Sequence, residues 1–167
     1  MSALWEALLH NLRAHADVFI WFLPLAVVFY VILRLLKGKE ERFWLLCLSL
    51  TCAGIIVMTL LGRPIGEPMF AWRPFGSYKD IVENGSAEML LQCAFNIGMF
   101  IPLGFLLPKC FEALRKKRYT ILIAMCGSLL IEVIQGALGM GLFEIDDVMN
   151  NTIGAVIGIV LNYKRTY

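Results

Sequence analysis

The chain has 167 residues, 59% of them hydrophobic and 17% charged, with a net charge of +2 and a mean hydropathy of +0.73. A soluble domain carries about 25% charged residues, so this composition excludes a soluble enzyme, a disordered tail and a nucleic-acid-binding module. The apolar residues fall in long runs, which predicts an all-α, polytopic integral membrane helix bundle forming a single membrane domain over residues 1–167.

At the start of the chain, Leu4, Trp5, Leu8, Leu9 and Leu12 recur at helical spacing against Glu6, His10, Asn11 and Arg13. Residues 1–17 therefore read as an interfacial amphipathic helix or as an extension of the first span. They lack the basic n-region and small-x-small site of a cleaved signal peptide. Five apolar runs follow, at 18–36, 43–61, 90–107, 119–138 and 146–163. Each is near the length that crosses a ~30 Å hydrocarbon layer at ~1.5 Å per residue. The second and third contain no charge, and the first contains only Arg34, close enough to its end to snorkel. The fifth opens with Asp146 and Asp147 and holds Asn150 and Asn151, while its glycines suit a membrane helix.

Basic residues orient these spans. Arg34, Lys37, Lys39 and Arg42, then Lys109, Arg115, Lys116, Lys117 and Arg118, then Lys164 and Arg165 share one side of a five-span chain. They are 11 of the 15 Lys and Arg residues, leaving Arg13, Arg63, Arg73 and Lys79 opposite. The positive-inside rule then places the N-terminus outside and the C-terminus inside. Four of the five cysteines, Cys47, Cys52, Cys93 and Cys126, lie within spans, and Cys110 lies on the basic side without a CxxC motif. The pattern assigns them to packing and calls for no metal and no cofactor.

Polar residues inside the spans point to a site. Glu132 is costly to place in hydrocarbon, so it should face the bundle interior, with Gln135 on the same helix face. Asn96 and Glu132 each lie six residues from the outer end of their spans, roughly 9 Å deep. Asp147, Asn151, Gly154 and Gly158 form one stripe of the fifth span, and Asn96, Phe100 and Gly104 form a matching face on the third. The glycines admit a close helix neighbour, and Pro102 removes a backbone hydrogen bond and should kink its helix. Three helices thus converge on an outward-facing polar pocket, with Glu132 and Asp147 as the catalytic candidates should a reaction occur there. Structural roles compete: the amides also serve as interhelical glue, and Asp146 and Asp147 also suit a helix N-terminus. The long outer connection, 62–89, carries Arg63, Pro64, Trp72, Arg73, Pro74, Phe75 and Tyr78, which suits a segment anchored at the interface or folded back over the pocket. An arginine that reaches the pocket can clamp phosphate or carboxylate.

These residues also carry a family resemblance. The order N-x-x-x-F-x-P-x-G at Asn96 to Gly104, E-x-x-Q at Glu132 to Gln135, and D-D-x-x-x-N-x-x-G-x-x-x-G at Asp146 to Gly158 resembles VanZ-like membrane proteins over residues 60–163. Pro74 and Phe75 resemble the P-F pair that the family places before the third span. The resemblance implies a cell-envelope protein of the cell membrane, of the kind associated with teicoplanin resistance in Gram-positive bacteria. It also carries over Asn96, Phe100, Pro102, Gly104, Glu132, Gln135, Asp147, Asn151 and Gly154 as family positions. Two departures stand out: Gly139 and Met140 occupy the place where many relatives have an Arg, and Glu144 stands where they have an Asp. Arg63 or Arg73 must then replace that Arg, or the ligand differs.

Three functions follow as expectations. The first is a binding or modulating protein whose partner is a membrane lipid, a lipid-linked cell-wall precursor or a lipophilic glycopeptide antibiotic, and not a nucleic acid. The second is a membrane-embedded enzyme using Glu132 and Asp147 as acid and base on such a lipid. The third is a small transporter or assembly partner hinged at Pro102.

Overall fold

A computed structural model describes residues 20–37, 42–61 and 63–164. The N-terminal segment 1–17 lies outside the described residues. Six α-helices are described: α1 (Phe22–Lys37), α2 (Arg42–Thr59), α3 (Gly76–Asn84), α4 (Ala87–Cys110), α5 (Lys117–Ala137) and α6 (Ile145–Lys164). Two two-residue strands, β1 (Phe70–Ala71) and β2 (Phe143–Glu144), and one 3-10 turn at Glu112–Arg115 are the other elements among the described residues. The architecture is all-α, and α2, α4 and α5 are long and apolar enough to cross a membrane. The apolar stretch Phe22–Leu36 of α1 is shorter, and α6, with its two acids and three asparagines, is not among those three.

Helix α4 is the centre of the bundle, packed against α2, α3, α5 and most extensively α6. Its start is set by Ser86, whose side chain accepts from the Met89 N–H at 3.3 Å, with Glu88 in the first turn and Lys109 in the last, both matched to the helix dipole. The helix continues unbroken through Pro102 and Pro108. Hydroxyls within the spans are satisfied locally: Ser49, Thr51 and Thr59 donate to the carbonyls of Leu45, Cys47 and Ile55. Such back-bonding lets polar side chains sit in an apolar helix without water.

The α4–α6 contact is close because glycines remove the side chains between the backbones. A Cβ on Gly154 would collide with the Ile97 carbonyl, one on Gly158 with that of Ile101, and one on Gly104 with that of Ala155. Phe100, 1% exposed, is buried between these contacts with Ile55, Ala124, Ile131 and Ala155. A second apolar cluster, Leu45, Leu48, Leu106, Leu107, Cys110 and Leu114, closes the far end of the bundle.

At the other end, the connection between α2 and α4 folds back over the helices. The N–H groups of Gly66 and Met69 donate to the carbonyls of Leu138 and Gly136, each at 3.0 Å, and β1 pairs in parallel with β2. Gly139 adopts φ +60°, and a Cβ there would strike the backbone of Gly66 and Glu67. Trp72 stacks on Phe143 at 6.2 Å and 8°. The folded-back segment is thus fastened to the turn between α5 and α6 by backbone bonds and aromatic contact.

Candidate functional site

The two acids that open α6 take different tasks. Asp146, 2% exposed, turns away from the bundle and accepts from the N–H of Phe75 at 2.6 Å and of Ser77 at 2.9 Å. It thereby caps α3 from outside the helix and holds Phe75 at φ +65°, a left-handed conformation unusual for a bulky residue. One turn further along α6, Asn150 accepts from the Tyr78 hydroxyl at 2.6 Å.

Asp147 faces the other way, into a cavity of about 300 Å³. Asn96, Glu132, Gln135, Asn151 and Arg63 line it as well, together with Met58, Thr59, Gln92, Met99, Leu142 and Glu144. The α4–α6 packing places these groups: Ile97, next to Asn96, touches Gly154, three residues beyond Asn151. Gln135 donates to the Thr59 carbonyl at 2.8 Å, and Asn151 donates to Ser128 Oγ at 2.8 Å. Glu132, 3% exposed, accepts from the Glu144 N–H at 3.1 Å. Gln92 Nε2 reaches both Glu144 Oε2, at 3.0 Å, and Asp147 Oδ2, at 3.1 Å.

Several polar atoms at this cavity have no hydrogen-bond partner. Asn96 Nδ2, Asp147 Oδ1 and Asn151 Oδ1 are all buried and unsatisfied. Asn96 approaches Asp147 without reaching hydrogen-bond geometry. A buried group left in that state costs about 1–3 kcal/mol.

Of the two arginines considered from sequence, Arg63 reaches this cavity and Arg73 does not. Arg63 Nη1 lies 3.5 Å from the Met140 carbonyl, and a Cβ on Gly141 would come within 2.8 Å of the same nitrogen. A guanidinium from just beyond α2 therefore stands beside Met140 and Gly141, at the turn where the family resemblance leads one to expect an Arg. Arg73 lines a neighbouring cavity of about 970 Å³ with Phe70, Trp72, Phe75, Lys79 and Glu83. Leu142 and Glu144 line both cavities.

Sequence reasoning did not select Gln92 or Glu144 as site residues. Gln92 lies four residues before Asn96 on the same helix face, which is the signal that identifies it. Glu144 was visible only as a departure from a family pattern. Burial, foremost, and the Asp147 carboxylate push Glu144 above the ordinary carboxylate range, as do Asp146 and Asp80, against the bond from Gln92. The unfolded chain titrates this group near about 4.3. Its contribution to stability is therefore complete below that value and is lost as pH rises through the higher folded value. Glu144→Gln is expected to gain melting temperature relative to the wild type as pH rises from the ordinary carboxylate range through the higher folded value. A difference that is flat or falls with pH in detergent melting curves would contradict this.

No curated protein and no solved structure matches the chain. The VanZ/LLP1 family model matches residues 50–164, a stretch that includes every residue lining the smaller cavity, and the chain belongs to that family.

Proposed function

We propose that this VanZ/LLP1 protein binds the polar part of an amphiphile in the cavity between α4, α5 and α6. The amphiphile is an envelope lipid, a lipid-linked cell-wall precursor or a lipophilic glycopeptide of the teicoplanin type. Binding changes its availability at the outer face of the cell membrane. The observation that carries this reading is the convergence of Asn96, Glu132, Gln135, Asp147 and Asn151, from three separate stretches of sequence, on one cavity with Arg63 at its edge. A cavity of about 300 Å³ is at the small end of the range that accommodates small molecules, enough for a head group while the chains stay in lipid.

Glu132→Gln and Asn151→Ala are expected to abolish teicoplanin resistance conferred by the expressed protein, or its lipid binding, without lowering the amount of folded protein. Measuring the inhibitory concentration beside a detergent-extracted protein yield checks this. Unchanged resistance and unchanged lipid binding in both variants would sink the reading.

The proposed topology has five spans, with α1 and α6 crossing as well as α2, α4 and α5, the N-terminus outside and the C-terminus inside. The cluster Arg115 to Arg118 then faces the cytoplasm and the segment around Arg63 and Arg73 faces outward. Single cysteines placed at positions 79 and 116 in a cysteine-free background test it. Only the first is expected to react with an impermeant maleimide on intact cells, and the reverse pattern would overturn the orientation.

A further inference from the structure

The cavity's hydrogen-bonding inventory indicates which polar group it receives, provided that it is a ligand site as proposed. Three carboxylates, Glu132, Glu144 and Asp147, line it against one guanidinium, Arg63. None of the three has a cationic partner within ion-pair distance: the two ion pairs among the described residues, Lys79–Glu83 and Arg115–Glu112, lie on the surface. What these acids accept comes from neutral donors, the Gln92 amide and the Glu144 N–H. Asn151, 2% exposed, also presents an unsatisfied Oδ1, beside the unsatisfied Oδ1 of Asp147. Two acceptor oxygens thus lack donors and one donor, Asn96 Nδ2, lacks an acceptor, in a lining with an excess of acids.

A metal ion does not match this inventory. Among the described residues no group of three or more acids, histidines or cysteines is placed to hold one. Metal–oxygen bonds of about 2.0–2.6 Å require ligands drawn tightly together. An ammonium works at about 2.7–2.9 Å with three directed donors, so it serves acceptors that are farther apart. A phosphate alone adds negative charge to an acid-rich, partly desolvated site, which is unfavourable. The single guanidinium and the unsatisfied Asn96 Nδ2 suit an anionic or hydroxyl oxygen next to that ammonium.

We propose that the cavity receives the primary ammonium of a zwitterionic, amine-bearing phospholipid head group, held by Glu132, Asp147 and Asn151 with its phosphate toward Arg63. The larger cavity, sharing Leu142 and Glu144 with the inner one, offers the route from the interface. Trp72, Phe75 and Phe70 along it are exposed aromatics suited to lie at head-group depth.

The test uses the full-length protein in detergent and reads thermal stabilisation on titration with short-chain phospholipids. The amine-bearing dihexanoyl phosphatidylethanolamine is expected to bind at least tenfold more tightly than its N-acetylated form, which lacks the charge. The same margin is expected over the phosphatidylcholine analogue, which lacks the N–H donors, and over phosphatidylglycerol. Asp147→Asn is expected to reduce the amine preference at least tenfold, with Glu132→Gln as a second variant should the first fold poorly. Equal affinity for phosphatidylglycerol and phosphatidylethanolamine, both lost in Glu132→Gln, overturns the ammonium assignment and leaves the cavity a lipid site. Free phosphoethanolamine binding as tightly as the lipid overturns the lipid source. Binding of no phospholipid, with resistance still lost in Glu132→Gln, overturns this assignment while the broader reading stands; intact resistance in that variant and in Asn151→Ala overturns both.

Discussion

Replacing Gly154 by leucine is expected to abolish the folded protein. An ordinary overpacked core relaxes by moving side chains and costs about 1–3 kcal/mol. Here the atom in the way is the backbone carbonyl of Ile97, inside a helix that is itself fixed by Gly104 against Ala155 and by Gly158 against Ile101. Relief requires the two helices to separate, which strips Phe100 of its packing and opens the cavity. The expected cost is about 4 kcal/mol or more, a large share of the about 5–15 kcal/mol that holds a domain folded. Gly98 and Gly127 provide the control, because a Cβ at either meets nothing within 4 Å. Gly98→Ala and Gly127→Ala should leave yield and melting temperature unchanged or slightly raised, since alanine favours a helix. If Gly154→Leu elutes as a monodisperse peak with wild-type melting, the account of the α4–α6 contact is wrong.

The second large effect separates two neighbouring acids. Asp146→Ala removes the acceptor of two backbone N–H groups, one from Phe75 in its left-handed conformation and one from Ser77 in the first turn of α3. Bonds to a charged acceptor contribute about 1.5–3 kcal/mol each, and their loss leaves donors unsatisfied, so a destabilisation of about 3–5 kcal/mol is expected. The segment between α2 and α4 should then become an early target of limited proteolysis. Asp147→Asn keeps the shape, retains an acceptor for Gln92 and should melt close to the wild type while losing the proposed preference for an amine. Melting curves and proteolysis patterns of the two variants, measured side by side, decide the matter. Similar destabilisation in both would mean that Asp147 is structural as well.

The helices were legible from sequence because length and hydropathy are local properties. The predicted runs 43–61, 90–107 and 119–138 correspond to α2, α4 and α5 within a few residues at each end. The inward face was legible too, since an acid or amide within an apolar run has a large incentive to avoid lipid, and Glu132, Gln135, Asn96 and Asn151 all line the cavity. The outer connection was harder. Its attachment runs through backbone bonds from Gly66 and Met69, which leave no side-chain signature. That Asp146 caps a helix some seventy positions earlier, while Asp147 lines the cavity, depends on a tertiary contact that helical spacing alone does not specify. Arg63 and Arg73 were equivalent candidates for the same reason: each sits beside a proline in a polar loop, and only the fold distinguishes them.

The adjacency of Asp146 and Asp147 has a mechanical consequence. One turn of helix grips the surface loop with its first carboxylate and lines the cavity with its second, so neither can shift without turning the other. The start of α6 therefore ties the loop to the cavity. Under the proposed function, a molecule that steadies Asp147 would also steady the loop, and whatever loosens the loop would weaken the hold on that molecule by the same factor, as reciprocity between linked equilibria demands. Under that reading the loop is part of the binding constant, although Arg63 alone of its described residues lines the cavity.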